Sequence, residues 1–208
     1  LSEAKGMDIN MITFDSQYKQ VLTSACLKCK DPYFAPAHPV MVHVGCCSYS
    51  PVFGLFEIYQ MIKAGNSEFF MESIYHHRSA TIMQYEIIIN AEVSPLFYEQ
   101  KINHLSPIEK DDIRLQYSVC QFFKQQKGCT LPATYKNSTC RSFICLTVEE
   151  QLDDQTQAEL KKWNTLIKQE VNAFVEQHRL ELQRRSLNLQ TNVQGVVDYL
   201  KSEVGKLA

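Results

Sequence analysis

The sequence predicts an α+β fold: a small antiparallel sheet packed with helices, plus a long C-terminal helical pair. Three observations predict it. Strand-like segments fall in the first half without the strand–helix alternation of a parallel sheet. From Thr81 to Val93 the chain alternates, with Met83, Tyr85, Ile87, Ile89, Ala91 and Val93 on one side. Gln84, Glu86, Asn90 and Glu92 lie on the other, with Ile82 and Ile88 among them, the pattern of a sheet with one buried and one mostly wet face. From Val148 to Arg185 there is neither proline nor glycine, and apolar residues recur in steps of three and four, as on one helical face.

The elements follow in order. Asp15 reads as the N-cap of a helix to Ala25. Pro32, Pro36 and Pro39 mark a loop, and Val40 to Cys47 alternates as a strand. Ser50-Pro51 predicts a helix start, and Gly65-Asn66 ends that helix after Ala64. Its apolar face is Val52, Leu55, Phe56, Tyr59 and Ile62. Phe69–His76 and Thr81–Val93 read as two strands joined near Arg78-Ser79. Ser94-Pro95 opens a short helix to His104. Ser106-Pro107, with Glu109 completing a capping box, opens a longer one to about Gly128. Cys129 to Thr139 is a loop, and Arg141 to Val148 a last strand.

Thr147 and Glu150 form another capping box and start the long helix. Acidic residues at its start, Glu149, Glu150, Asp153 and Asp154, and Arg184-Arg185 at its end suit the helix dipole. Asn188 to Asn192 is a break. Val193, Val196, Val197, Leu200, Val204 and Leu207 then make the stripe of a final helix. The organisation is an α+β core over 1–147 and a C-terminal helical hairpin or extension of the same unit over 148–208.

The long helix carries the functional expectation. A straight helix from Val148 to Arg185 spans roughly 55 Å at about 1.5 Å per residue. A compact chain of 208 residues is only about 43 Å across. The helix therefore breaks, protrudes or lies against something else. Leu160, Trp163, Ile167, Val171, Phe174 and Leu182 are the candidate partner-binding residues, with His178 on the same stripe.

Composition narrows the alternatives. A net charge of −2 gives no nucleic-acid footprint. No apolar run is long enough to cross a membrane. The opening residues, LSEAKGMDIN, carry no apolar run behind basic residues, so a cytoplasmic protein without a signal peptide is expected. Eight cysteines in a chain with a full hydrophobic complement read as reduced thiols. Cys26, Cys29, His43 and Cys46 have the spacing C-x2-C and H-x2-C, a possible zinc set. The expected strand, however, would put His43 and Cys46 on opposite faces, and isolated buried thiols are the preferred reading. Cys46 or Cys47 could meet His76 or His77 as a nucleophilic pair, but no motif orients them. No phosphate loop, dinucleotide fingerprint, HExxH or EF-hand occurs. No catalytic, metal or cofactor site is assigned. The alternatives to a binding protein are a thiol-dependent enzyme and a zinc-stabilised domain.

Low glycine, many Ile, Gln, Lys and Asn, and unpaired cysteines give the chain the character of a cytosolic protein from an intracellular bacterium. With the alternating strand Met83–Val93 and the stripe Trp163–Leu182, it resembles the adaptor subunits of the Dot/Icm type IVB secretion coupling complex. The resemblance implies a non-enzymatic, chaperone-like adaptor. It would sit with small acidic partner subunits on a coupling ATPase and help present effectors for export. It transfers no functional residue.

Overall fold

The structure is a computed structural model and describes residues 12–25 and 32–205. The chain is α+β, with small antiparallel sheets packed against helices. β1 (Ile12–Asp15) and β2 (Gln20–Thr23) form a hairpin. β3 (Val52–Gly54) leads into α1 (Leu55–Lys63). α2 (Ser67–Phe69) continues as a π-helical turn over Phe70–Tyr75. β4 (Ala80–Ile82) and β5 (Glu86–Ile89) complete a three-stranded sheet in the order β3-β5-β4. β6 (Glu92–Val93) pairs with β7 (Ser118–Val119) across α3 (Pro107–Gln116). β8 (Phe123–Lys124) and β9 (Gly128–Cys129) make a small hairpin. α4 (Ser138–Ser142), α5 (Leu146–Glu149), α6 (Asp154–Arg184) and α7 (Val193–Val204) complete the described chain.

The main core lies between the three-stranded sheet, α1, the π-turn, the end of α6 and α7. Phe53, Ile58, Phe70, Ile87, Ile89, Leu182 and Leu200 are all buried there. Phe53 pairs with Ile87 across β3 and β5. A second, smaller cluster holds the β1–β2 hairpin against the first half of α6 through Ile12, Val21, Leu160 and Ile167. α6 has 31 residues, about 46 Å of helix, and each half has its own core. Its length is accommodated by two clusters of the same chain.

α6 ends in a Schellman motif. The Leu187 N–H reaches the Leu182 carbonyl at 2.9 Å and the Ser186 N–H reaches that of Gln183 at 3.0 Å. Ser186 takes the left-handed conformation (φ 55°) that glycine usually supplies. Asn188 Oδ1 accepts from the Gln190 and Thr191 N–H groups, and Asn192 caps α7 by accepting from Gly195. The break between the two last helices lies where the sequence predicts it.

Several local expectations are corrected. Asp15 caps no helix: its Oδ1 accepts from the Gln17 and Tyr18 N–H groups and shapes the turn between β1 and β2. A short acceptor side chain serves an Asx turn and an N-cap equally well. Val40–Cys47 is not a strand. Val40 is 74% exposed, no strand pairs with it, and Gly45–Ser48 is a 3-10 turn. Phe69–His76 is helical, because Phe70 and Ile74 bury one face at a spacing of four. Thr81–Val93 folds into β4, a turn, β5 and β6. The turn is pinned by the α6–α7 connection, with the Leu189 N–H donating to the Gln84 carbonyl and Gln190 Nε2 to that of Ile82, both at 2.9 Å.

Ser50-Pro51 leads into β3, and α1 starts only at Leu55. Ser94 caps a 3-10 turn, Pro95–Glu99, that stops short of His104. The Ser106–Glu109 capping box is formed, but α3 ends at Gln116. Arg141–Val148 spans the end of α4 and the start of α5 in place of a strand. α6 is capped by Asp153, later than the expected Thr147.

Candidate functional site

A cleft of about 990 Å³ opens between α6, the β3 edge and the 136–143 segment. Pro51 and Val52 form one part of its wall, the Met83–Glu86 turn a second, and Val171, Val175 and Arg179 of α6 a third. Leu131 and Phe143 add apolar surface, and Lys136 adds a charge. Asn137 ties the walls together: its Nδ2 donates to the Val52 carbonyl at 3.0 Å, and its Oδ1 caps α4 through the Cys140 N–H at 2.8 Å.

Five thiols line this one cleft: Cys46, Cys47, Cys120, Cys129 and Cys140. They come from three segments remote in sequence. The first two sit on the 3-10 turn that starts at Gly45, whose φ of 56° is a left-handed value natural to glycine. Cys47 departs from helical geometry (φ −76°, ψ 20°), and both residues line the cleft. The Cys120 N–H donates to the Cys47 carbonyl at 2.7 Å, joining the second segment to the first. The Cys47 thiol hydrogen-bonds Cys46 and brings the Cys46 pKa down to about 7 against the opposing effect of burial. The same bond, with burial, pushes the Cys47 thiol up. Burial also raises Cys120. Within the pair, Cys46 is thus the thiol more readily ionised and Cys47 the one that keeps its proton.

Glu57 is the charged group of the cleft wall that sequence reading missed. It is 3% exposed. Its Oε2 accepts from the Gly54 N–H at 2.9 Å, and its Oε1 has no hydrogen-bond partner among the described residues. A Cβ at position 54 would stand only 3.3 Å from that carboxylate, so glycine admits it. A signal was present: Leu55, Phe56, Ile58, Tyr59, Met61 and Ile62 make α1 apolar nearly all round. Such a helix is buried, and a lone carboxylate in it is buried too.

Burial raises the Glu57 pKa above its ordinary value, with the backbone N–H groups and the Arg141 guanidinium opposing. A raised folded pKa stabilises the fold below the unfolded value and loses that contribution as pH rises through the folded value. Stability is therefore expected to decline from about pH 4.3 upward through the Glu57 titration. Glu57→Gln should flatten that decline and leave the variant the more stable at pH 8. Urea midpoints of both proteins at pH 5 and pH 8 check this. An unchanged decline in the variant would remove Glu57 as its source.

The candidate partner-binding residues are distributed unevenly. Leu160, Ile167 and Leu182 are buried within the chain's own clusters. Trp163 stacks on Phe14 at 5.2 Å, and Phe174 packs on Phe56 and Tyr59 at 5.5 and 4.7 Å. His178, on the same stripe, is buried and bonds Tyr199 through Nδ1 at 2.7 Å. Val171 alone of the six partner-binding candidates reaches the cleft, beside Val175. Cys26 and Cys29 lie outside the described residues. Among the described residues, no three His, Cys, Asp or Glu side chains are grouped to hold a metal. His76 and His77 do not line the cleft; His77 packs near Phe122 and accepts from the Ser79 N–H. No helix of the described residues is long and apolar enough to cross a membrane. No family model, curated protein or solved structure matches the chain.

Proposed function

We propose that the protein is a non-enzymatic adaptor that receives an apolar segment of a partner protein in the cleft between α6 and the β3 edge. One observation carries the reading. The cleft is large and mostly apolar, yet its lining includes Glu57, a buried carboxylate whose Oε1 has no hydrogen-bond partner among the described residues. Apolar walls give such a site its affinity, and a few placed polar groups give it orientation. The matching partner offers aliphatic or aromatic side chains and one N–H or ammonium donor that meets Glu57. The stripe of α6 is largely consumed by the core, so the surface offered to a partner is the cleft, with Val171 and Val175 as the helix's contribution.

The resemblance to secretion-coupling adaptors indicates which partners to try first, coupling-complex subunits and the effectors they export. A cytoplasmic setting belongs to the same reading, since reducing conditions keep the cleft thiols unbridged. The test is affinity isolation of the native protein from its host beside the double variant Val171→Asp, Val175→Asp. Both positions are half-buried, and Val175 also packs against the main cluster, so the single variant Val171→Asp, outside both clusters, is run beside it as the one that should keep the wild-type thermal midpoint. A companion held in fixed ratio by the wild type, cross-linked to cleft residues and lost by the variant, is the expected result. A companion retained by the folded variant, or none recovered with the wild type, overturns the reading.

A further inference from the structure

We propose that Cys46 and Cys47 form an oxidisable dithiol that reacts with apolar organic hydroperoxides entering the cleft. The geometry carries this independently of the partner reading. Neighbouring residues on a 3-10 turn are about 120° apart at three residues per turn, which would send adjacent side chains different ways. Here the turn with a left-handed Gly45 and a non-helical Cys47 puts both adjacent cysteines in the wall of one cleft. That cleft is mostly apolar, and Glu57, whose buried Oε1 has no hydrogen-bond partner among the described residues, is one of the residues that line it, an acceptor for the O–H of a hydroperoxide once the side chain turns outward. Within the pair we assign Cys46 as the attacking thiol and Cys47 as the resolving one, the direction in which each moves the other's ionisation.

The chemistry balances in two steps. The Cys46 thiolate attacks the terminal peroxide oxygen, an S–O bond forms, and the O–O bond breaks. The alkoxide leaves, takes a proton from water and departs as the alcohol. Sulfur is oxidised by two electrons to a sulfenic acid, and the peroxide is reduced by the same two. Cys47 sulfur then attacks Cys46 sulfur, and the sulfenic oxygen leaves as water with the Cys47 proton. Adjacent Cα atoms lie about 3.8 Å apart, below the usual range for a disulfide of about 4.4–6.8 Å. A bridge between them is strained, oxidising and easily reduced by an external dithiol.

The test treats the reduced full-length protein with cumene hydroperoxide or hydrogen peroxide at pH 7 and follows it by alkylation and mass spectrometry. The expected product is one Cys46–Cys47 disulfide per chain, reversed by dithiothreitol and formed at least tenfold faster with cumene hydroperoxide. Cys46→Ser should slow thiol loss at least tenfold. Cys47→Ser should stop at a Cys46 sulfenic acid that dimedone traps. Equal rates for Cys46 and Cys129, an unaffected Cys46→Ser variant, a bridge from Cys46 to Cys120, or no preference for the apolar peroxide would each overturn the proposal. Thermal midpoints of both serine variants guard against misfolding, and a trapped sulfenic acid reads chemistry that a structural role does not produce.

Discussion

Replacing Leu182 with alanine is expected to destabilise the protein by about 2–5 kcal/mol. The side chain is fully buried in the main cluster. It also stands three residues before the helix end, where its carbonyl accepts the Leu187 N–H that closes the Schellman motif. Leu187 packs against the same cluster, as the hydrophobic contact of that motif requires. The deletion therefore leaves a cavity at the point where α6 turns back toward α7, and the backbone bonds there restrain collapse. Leu166 is the control. It lies on the same helix but is 53% exposed, so Leu166→Ala should change stability by no more than about 0.5 kcal/mol. Urea titrations with equal slopes for all three proteins read the difference directly. Equal midpoints for the two variants would mean that the end of α6 does not pack where the structure puts it.

That contrast bears on what the sequence could disclose. The period of α6 and its stripe were legible because they are local, but whether a stripe meets the same chain or another is a tertiary fact. The first half of α6 finds the β1–β2 hairpin, an element that sequence reading had as a helix. With that hairpin missing, the helix looked partnerless. Capping chemistry is legible where side chain and backbone close a bond within one turn, as at Ser106–Glu109. It was read wrongly at Asp15, where the same acceptor closes a different local ring.

Strands suffered most. Val40–Cys47 alternates as well as any strand in the chain, but alternation forms a strand only where a neighbour offers a ladder. Within the site, the Cys46-Cys47 dipeptide is visible in the sequence. Its grouping with Cys120, Cys129 and Cys140 depends on long-range contacts such as the Cys120–Cys47 backbone bond, which no spacing encodes.

Arg141→Met is expected to leave the protein as stable as the wild type or more stable, by up to about 4 kcal/mol. Arg141 is 4% exposed. Its guanidinium lies over the Phe56 ring, 5.4 Å from the centroid. Among the described residues its one ion pair, Nη1 to Glu170 Oε2, is long at 3.6 Å, and its Nε and Nη2 have no partner. Glu170 does not depend on it, because Lys19 Nζ holds the other carboxylate oxygen at 2.6 Å. Methionine keeps the stem against Phe56 and removes a desolvated charge that is poorly repaid. The charge does act on Glu57, whose pKa it opposes raising. In the variant the Glu57 pKa should climb further, so the loss of stability with rising pH should extend to higher pH than in the wild type. Urea midpoints across pH 5–9 separate the two effects, a vertical gain from desolvation and a shifted decline from Glu57. A loss of more than about 3 kcal/mol, the cost of breaking a well-made buried pair, would overturn the description of Arg141 as under-satisfied. A gain with the shifted decline would show that the fold tolerates a costly cation behind the cleft, where it tunes the buried carboxylate of the cleft wall, Glu57.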